Sequence, residues 1–448
     1  FLGEEITVTG GAVELVRKPE VRESGGVVPT PRYIVDAIVE RTLVPALASK
    51  SPAELAGFTV ADICCGSGIF LLSAYEFILD HHLSWYLDNN RVDHIGRTIY
   101  ETTAGQWWLT FEEKRRILLA HIRGVDIDAN AVEIARFSLL LKLIENETAA
   151  GLRDYVNRQE TPALPPLDNT VRSGNSLVTR AEWTAVRGAM PAALIQKVNP
   201  FTWSEEFPAE MGRGGFDVIV ANPPYIRIQN MAAYSPEEVA FYQSHDSPYS
   251  TARQDNFDKY ALFIERALTL LRPEGRLGVI TPHKFMVTQA GRTLRRLITA
   301  NRLLEEVVHF GVKQVFGRHV DNYTCILVLD RRGRNVVRVE RPGPLEAWRY
   351  GEPGITVEIP SATLGEDNWQ FVDVETRALF ERVRAAFPDR LGQLAEIFVG
   401  AQTSADPIYI FVGVAEDANT VTLRWNGHDW PIERDILLPC LHDALLFA

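Results

Sequence analysis

The run Phe216-Asp217-Val218-Ile219-Val220-Ala221, closed by Asn222-Pro223-Pro224-Tyr225, limits what this chain can fold into more than any other stretch. A short apolar run rich in β-branched residues predicts a buried strand, and a buried strand belongs to a sheet covered by other elements. The strand delivers one carboxamide, two rigid prolines and an aromatic ring to a single strand end. That set offers little to core packing, and it suits a site that holds a planar exocyclic amine. The bland reading of Asn-Pro-Pro-Tyr alone is a rigid loop.

Upstream segments repeat the strand-then-turn pattern. In Gly25-Gly26-Val27-Val28-Pro29-Thr30-Pro31, Thr30 is placed to cap a helix and Pro31 to open it, with Ile34, Ile38, Val39 and Leu43 on its apolar face. A capped helix and a ligand-lining role both fit these residues. Phe58–Leu71 reads as a strand, a Gly66-Ser67-Gly68 turn and a helix, where glycine lets the backbone approach a ligand. A dinucleotide fingerprint would place a third glycine where Leu71 stands, which disfavours NAD and leaves another nucleoside open. The run His121–Asp128 is a second strand ending in acid: Asp126 is suited to ribose hydroxyls, and Asp128 to capping a helix over Ala131–Ile144. Thr170–Leu177 is a third, ending in Gly174-Asn175-Ser176, where Asn175 or Ser176 either bonds a base edge or forms an Asx-turn.

Between these, 73–122 reads as helical, with His81, His82, Trp85, Trp107 and Trp108 assigned to packing or surface. Residues 151–170 read as a surface loop, and 226–256 as a mobile polar loop near the site. A helix follows over Asp255–Leu268, then a strand over Arg276–Thr281. The helix Gly291–Ala300 puts Arg292, Arg295 and Arg296 on one face, either solvated or in contact with phosphate. Two β runs, Leu304–Phe310 and Tyr323–Leu329, bracket a loop that holds Phe316. From Arg331 a linker begins, with a short β segment and prolines over 334–360, and a further helix is expected over Val374–Ala386.

Composition narrows the function classes. A chain of 448 residues suggests two or three domains, and a formal charge of −12 disfavours a simple DNA-coating role. Any nucleic-acid contact then needs a local basic face. No apolar run approaches the roughly eighteen residues of a membrane helix, so no membrane partner is expected. Cys64, Cys65, Cys325 and Cys440 are spaced for neither a disulfide framework nor a zinc site, so no metal is expected and a reducing cytoplasm is. A start at Phe1 and an apolar end suggest a piece of a longer protein.

The chemistry follows from the amine. An adenine N6 lone pair is delocalised into the ring, and a methylating site has to localise it. The Asn222 side-chain oxygen and the Pro223 carbonyl can each accept an amine proton, Pro224 stiffens the turn, and Tyr225 can stack on a base that has left its duplex. Phe316 is the candidate second wall. The methyl donor would be S-adenosylmethionine, with its methionine part against Thr30, Pro31 and the Asp62–Gly68 turn (Asp62, Cys64, Gly66, Gly68), its ribose on Asp126 and its adenine near Asn175 and Ser176.

Taken together, Thr30-Pro31, Asp62-Ile-Cys-Cys-Gly-Ser-Gly68, Val125-Asp126-Ile-Asp128, Gly174-Asn175-Ser176, Asn222-Pro-Pro-Tyr225, Asp258-Lys-Tyr260 and Val315-Phe316 give the chain its family likeness. It resembles the gamma-class N6-adenine DNA methyltransferases, particularly the large methylases of fused restriction–modification enzymes and of phage-exclusion systems. The resemblance implies an α/β, Rossmann-like S-adenosylmethionine-dependent domain with a mixed, mostly parallel seven-stranded sheet. It implies donor binding at the first four segments, catalysis at Asn222–Tyr225 and stacking by Phe316. Residues 1–24 would be a leader, 25–332 the catalytic domain, 333–393 a linker, and 394–448 the start of a target-recognition domain led by Val399–Thr403 and Leu437–Pro439. The expected partner is duplex DNA, with a nuclease fused or separate outside this stretch. A methyltransferase of the same fold acting on an RNA base or a protein glutamine amide is the alternative.

Overall fold

The computed structural model describes residues 4–9, 12–17, 29–253, 256–316, 323–372, 374–389, 413–425 and 428–437, with Gln393 and Ala395. The expected turn at Gly25–Val28 and the element Val399–Thr403 lie outside them, as does Leu438-Pro439. The chain divides into two compact units, Phe1–Arg377 and Ala378–Ala448.

Nine strands of the first unit form one sheet: β1 (Val60–Asp62), β2 (Ile122–Asp126), β3 (Val171–Ser173), β4 (Phe216–Ala221), β5 (Leu271–Pro282), β6 (Leu304–His309), β7 (Thr324–Asp330), β8 (Val336–Arg341) and β9 (Ile355–Pro360). Their spatial order is β3-β2-β1-β4-β5-β7-β6-β8-β9. Strands β1 to β5 are mutually parallel, β7 runs antiparallel to both β5 and β6, and β6 is therefore parallel to β5. The order reverses between β1 and β4. In open α/β sheets that reversal leaves a crevice outside the carboxyl ends of the strands.

Period-two alternation builds the two faces. Along β4, Ile219 and Ala221 enter one apolar cluster, while Val218 and Val220 enter the other. All four are buried on both sides of the sheet, so the strand has almost no solvent-facing position. Helix α1 (Arg32–Leu47) and helix α2 (Ile69–Asp88) pack together on the second of these clusters.

The structure corrects several expectations. The sheet has nine strands among the described residues, not seven, because part of the supposed linker at 333–393 forms β8 and β9. Val337 and Val339 are fully buried on alternate positions of β8, and Pro342 and Pro360 stand at strand ends, where a missing N–H does no harm. The helical reading of 73–122 breaks after α2: Asn90 adopts φ 50°, and a hairpin pairing Ile99–Glu101 with Trp107–Leu109 precedes helix α3 (Phe111–His121). The loop expected at 151–170 is in part helix α5 (Ala149–Gln159), started by Thr148, whose hydroxyl accepts from the Gly151 amide; α4 (Ala129–Ile144) precedes it. The polar loop at 226–256 contains helices α6 (Ile228–Tyr234) and α7 (Pro236–Tyr242), with Met231, Phe241, Tyr242 and Tyr249 buried. Helix α8 (Lys259–Leu270) begins a turn later than expected, and α9 (Arg292–Ala300) ends at the expected residue.

The second unit holds a three-stranded antiparallel sheet, Ala415–Glu416, Thr420–Trp425 and His428–Glu433. Arg424 and Asp429 join its longer pair through two hydrogen bonds. No helix among the described residues is long and apolar enough to cross a membrane.

Candidate active site

Strand β4 ends at Ala221, so Asn222 stands at the carboxyl end of the strand, beside the β1/β4 reversal. Asn222 Nδ2 donates to Thr30 Oγ1 at 2.9 Å, and the Tyr225 hydroxyl donates to Asn222 Oδ1 at 2.8 Å. The amide is thus oriented from both ends, with one lone pair of its oxygen engaged and the second still to be used. The Tyr225 hydroxyl also lies 3.3 Å from the Ile280 carbonyl, on β5. Burial raises its pKa well above the ordinary phenol value, so at neutral pH it is a donor.

Thr30 was expected to cap α1. It does not: Pro31 occupies the cap position without a side-chain bond, and the Pro31 carbonyl accepts from the Ile34 and Val35 amides. The buried Thr30 hydroxyl is turned to Asn222 instead.

Pro223 is buried, and Pro224 and Tyr225 are half-buried. Phe316 meets the Tyr225 ring at 6.3 Å between centroids and 70° between planes, and Tyr260 meets it at 6.3 Å and 90°. In this conformation Tyr225 and Phe316 form a corner, not two parallel walls.

On the other side of the reversal the glycine turn follows β1. Gly66 has φ 51°, and a Cβ there would stand in open space. Gly68 has φ 84°, and a Cβ there would lie 2.9 Å from the Ala135 Cβ on α4. The first glycine leaves room for a ligand, while the second is required by the close contact between α2 and α4. Asp62 accepts from the Cys64 amide through Oδ1 at 3.0 Å, while its buried Oδ2 has no partner. Burial, then the nearby charge of Asp126, raises the Asp62 carboxyl to about 8, against the bond from Cys64. An orphaned carboxylate oxygen in such a position fits a cationic ligand.

Asp126 takes the Gly66 amide on Oδ2 at 2.8 Å and the Asp128 amide on Oδ1 at 2.9 Å. Asp128 caps α4 by accepting from the Asn130 amide, as expected. Cys64 is half-buried and Cys65 buried, both as free thiols.

Asn175 and Ser176 are both buried. Asn175 Oδ1 accepts from the Leu177 amide at 3.1 Å, which is the Asx-turn, and Nδ2 donates to Glu238 at 3.1 Å. Ser176 donates to the Ile63 carbonyl at 2.6 Å, tying β3 to the end of β1. Both polar ends of Asn175 are therefore taken up inside the protein, which is at odds with its reading as a direct base-edge contact.

Glu238, on α7, was not anticipated. It also accepts from Tyr242 at 2.8 Å and from Ser235 at 2.7 Å. The Ser235-x-x-Glu238 spacing at a helix start was the available signal.

The arginine face also departs from expectation. Arg295 is buried and donates to the carbonyls of Glu366 (2.8 Å) and Thr288 (2.7 Å), as well as to that of Phe285. Arg292 pairs with Glu366, and Arg296 is exposed. Three of its five N–H donors, the Nε hydrogen and both Nη1 hydrogens, go to backbone carbonyls, which ties Arg295 to its own loops. Among the described residues no group of three His, Cys, Asp or Glu side chains is arranged to hold a metal ion.

Residues 120–316 match the Eco57I restriction-modification methylase family. The resemblance read from the motifs is borne out. The matched stretch takes in Asp126, Asn175, Asn222–Tyr225 and Phe316, and begins downstream of Thr30 and the glycine turn. Over 446 residues the chain is 30% identical to the type II restriction enzyme and methyltransferase RM.Eco57I of Escherichia coli, covering 98% of this chain and 41% of that protein. It is 30% identical over 210 residues to the type II methyltransferase M.PaeR7I of Pseudomonas aeruginosa, covering 44% of this chain and 35% of that protein. The adenine-specific methyltransferase PglX of Streptomyces coelicolor is 27% identical over 330 residues, 70% of this chain and 24% of its own length. The chain therefore spans less than half the length of each of these relatives.

Proposed function

We propose that the protein is an S-adenosylmethionine-dependent DNA methyltransferase that methylates adenine N6 of a base flipped out of duplex DNA, within a restriction–modification or phage-defence system. The observation that carries this reading is the Asn222 carboxamide, held between Thr30 and Tyr225 at the end of β4. Its oxygen keeps a lone pair for one amine hydrogen of the base. Accepting that hydrogen draws the nitrogen lone pair out of conjugation, and the Pro223 carbonyl is the second acceptor the turn can offer. Tyr225 contributes its ring to the base and its hydroxyl to the orientation of Asn222. No side chain has to act as a strong base, because the amine becomes acidic once alkylated.

The donor fits the residues across the crevice. Gly66 leaves open space at a positive φ, and Asp62 presents a buried, partnerless carboxylate oxygen toward which an ammonium group would be drawn. Thr30-Pro31, Cys64, Gly68 and Asp126 complete the proposed donor wall, with Asn175 and Ser176 behind it as its support. S-adenosylmethionine bound there supplies an electrophilic methyl carbon. In the proposed division, residues 25–332 form the catalytic core, β8 and β9 extend its sheet, and 394–448 begin target recognition. Adenine specificity is supported by the likeness to PglX, and a fused or separate nuclease by the likeness to RM.Eco57I.

The test is methyl transfer by the full-length protein, using labelled S-adenosylmethionine and genomic DNA that is then digested to nucleosides. Label in N6-methyladenine is expected. Label in a cytosine product, or none in DNA, overturns the reading.

A further inference from the structure

Three rings outside the Asn222 site stand in a column on the same edge of the sheet. His283 follows β5, His309 ends β6 and Tyr323 precedes β7, so strand direction brings all three to the side where β4 delivers Asn222. His283 and His309 are stacked, with centroids 4.5 Å apart and planes 17° from parallel. Tyr323 lies on His283 at 6.1 Å and 26°. The His283 amide donates to the Tyr323 carbonyl at 3.0 Å, and the Gly311 amide donates to His309 Nδ1 at 3.1 Å, so backbone bonds hold the rings in register.

The column ends in the open. His283 and His309 are half-buried, whereas Tyr323 is 43% exposed. Burial lowers both imidazole pKa values, and His309 is brought to about 4 by burial, His283, Arg341 and Lys313, so neutral rings stack without charge repulsion. Cations lie along it: Lys284 follows His283 in the chain and pairs with Asp258 at 2.8 Å, and Lys313 and Arg341 are close enough to act on His309, at the end of the column away from Tyr323. In a chain of net charge −12 this is a local basic and aromatic surface. Flat rings flanked by cations are the chemistry that takes up unpaired bases, because every base has a face to stack and a phosphate beside it.

We propose that the exposed Tyr323 end of the column is a stacking platform for an unpaired DNA base, distinct from the pocket at Asn222 and Tyr225, with Lys284, beside His283, nearest to an adjoining phosphate. It rests on DNA being the substrate, and it names where a second nucleotide of an opened duplex is held.

The experiment measures binding of the full-length protein to single-stranded oligothymidylate and to an abasic strand of equal length, by fluorescence anisotropy. Tyr323→Ala should weaken oligothymidylate binding by at least about fivefold, leave abasic-strand binding unchanged, and be rescued by Tyr323→Phe. Equal affinities of the Tyr323→Ala variant and the unaltered protein for oligothymidylate, or equal losses on both strands, overturn the platform and leave the methyltransferase reading intact. Failure of the unaltered protein to bind either strand also overturns the platform, whereas the methyltransferase reading falls only if no label reaches N6-methyladenine in duplex DNA.

Discussion

Asn222 Nδ2 and Thr30 Oγ1 lie 2.9 Å apart although 192 residues separate them in the chain. The bond decides which end of the carboxamide faces the crevice. Thr30→Val removes the acceptor and leaves the shape, so the amide gains freedom to rotate. The expected outcome is a fall in kcat of about tenfold with little change in donor affinity, and recovery in Thr30→Ser. Steady-state kinetics with equilibrium dialysis of the donor checks it; a loss of donor affinity alone would assign Thr30 to the donor wall instead.

Tyr225 combines a ring and a hydroxyl with separable roles. Tyr225→Phe keeps the ring and removes the 2.8 Å bond to Asn222 Oδ1, so a loss of about three- to thirtyfold in kcat is expected. Tyr225→Ala removes the stacking surface too and should raise KM for DNA as well. Comparable effects of the two substitutions would show that stacking contributes nothing.

At Asp62, stability and binding should part company. Burial raises the Asp62 carboxyl to about 8, and a bound ammonium group would pull it back toward the carboxylate, so Asp62→Asn keeps the bond from the Cys64 amide, buries no charge and removes the partner of that cation. Thermal unfolding should move little or upward. Donor affinity should fall by about tenfold or more, read by isothermal titration calorimetry.

The two turn glycines should fail differently. Gly68→Ala forces a Cβ to within 2.9 Å of Ala135 at a φ of 84°, and should destabilise by about 1–3 kcal/mol in denaturant unfolding. Gly66→Ala meets nothing within the protein, so the larger change expected there is in donor affinity.

A buried imidazole makes stability depend on pH. His121 is fully buried, bonds the Phe58 carbonyl at 2.7 Å, and is lowered from 6.5 to about 4, chiefly by burial. A depressed folded pKa means that the unfolded chain takes the proton first, so stability present above the unfolded value is lost as pH falls through the interval toward 4. The gap corresponds to about 3 kcal/mol at its limit. Because Asp62 titrates in the opposite sense over part of this range, the measurement is the difference between the unaltered protein and His121→Gln. That difference should shrink as pH falls from about 7 to about 4, and a constant difference would remove His121 from the account.

The sequence was legible where a single strand carries its own signal. The apolar run before Asn222 became β4, and the glycine turn and the acid at Asp126 fell at the ends of neighbouring parallel strands. What escaped were features decided by distant partners. Thr30 has the local signature of a cap, yet its hydroxyl is claimed by Asn222. Arg295 has the spacing of a surface residue, yet three backbone carbonyls claim it. The polar composition of 226–256 concealed Phe241, Tyr242 and Tyr249, and with them Glu238, whose role depends on Asn175 being brought to it by the fold. At 334–360 the β character was legible, but not that its strands, with alternate valines buried in β8, pair onto the main sheet.

The contact at Gly68 also bears on how tightly a small molecule can be held beside it. With α2 and α4 packed too closely for even a methyl group, and with the Gly66 amide already tied to Asp126, the loop stands in one conformation before anything arrives. Little conformational entropy is then lost on capture, so the free energy of each contact made there goes into affinity instead of ordering the chain.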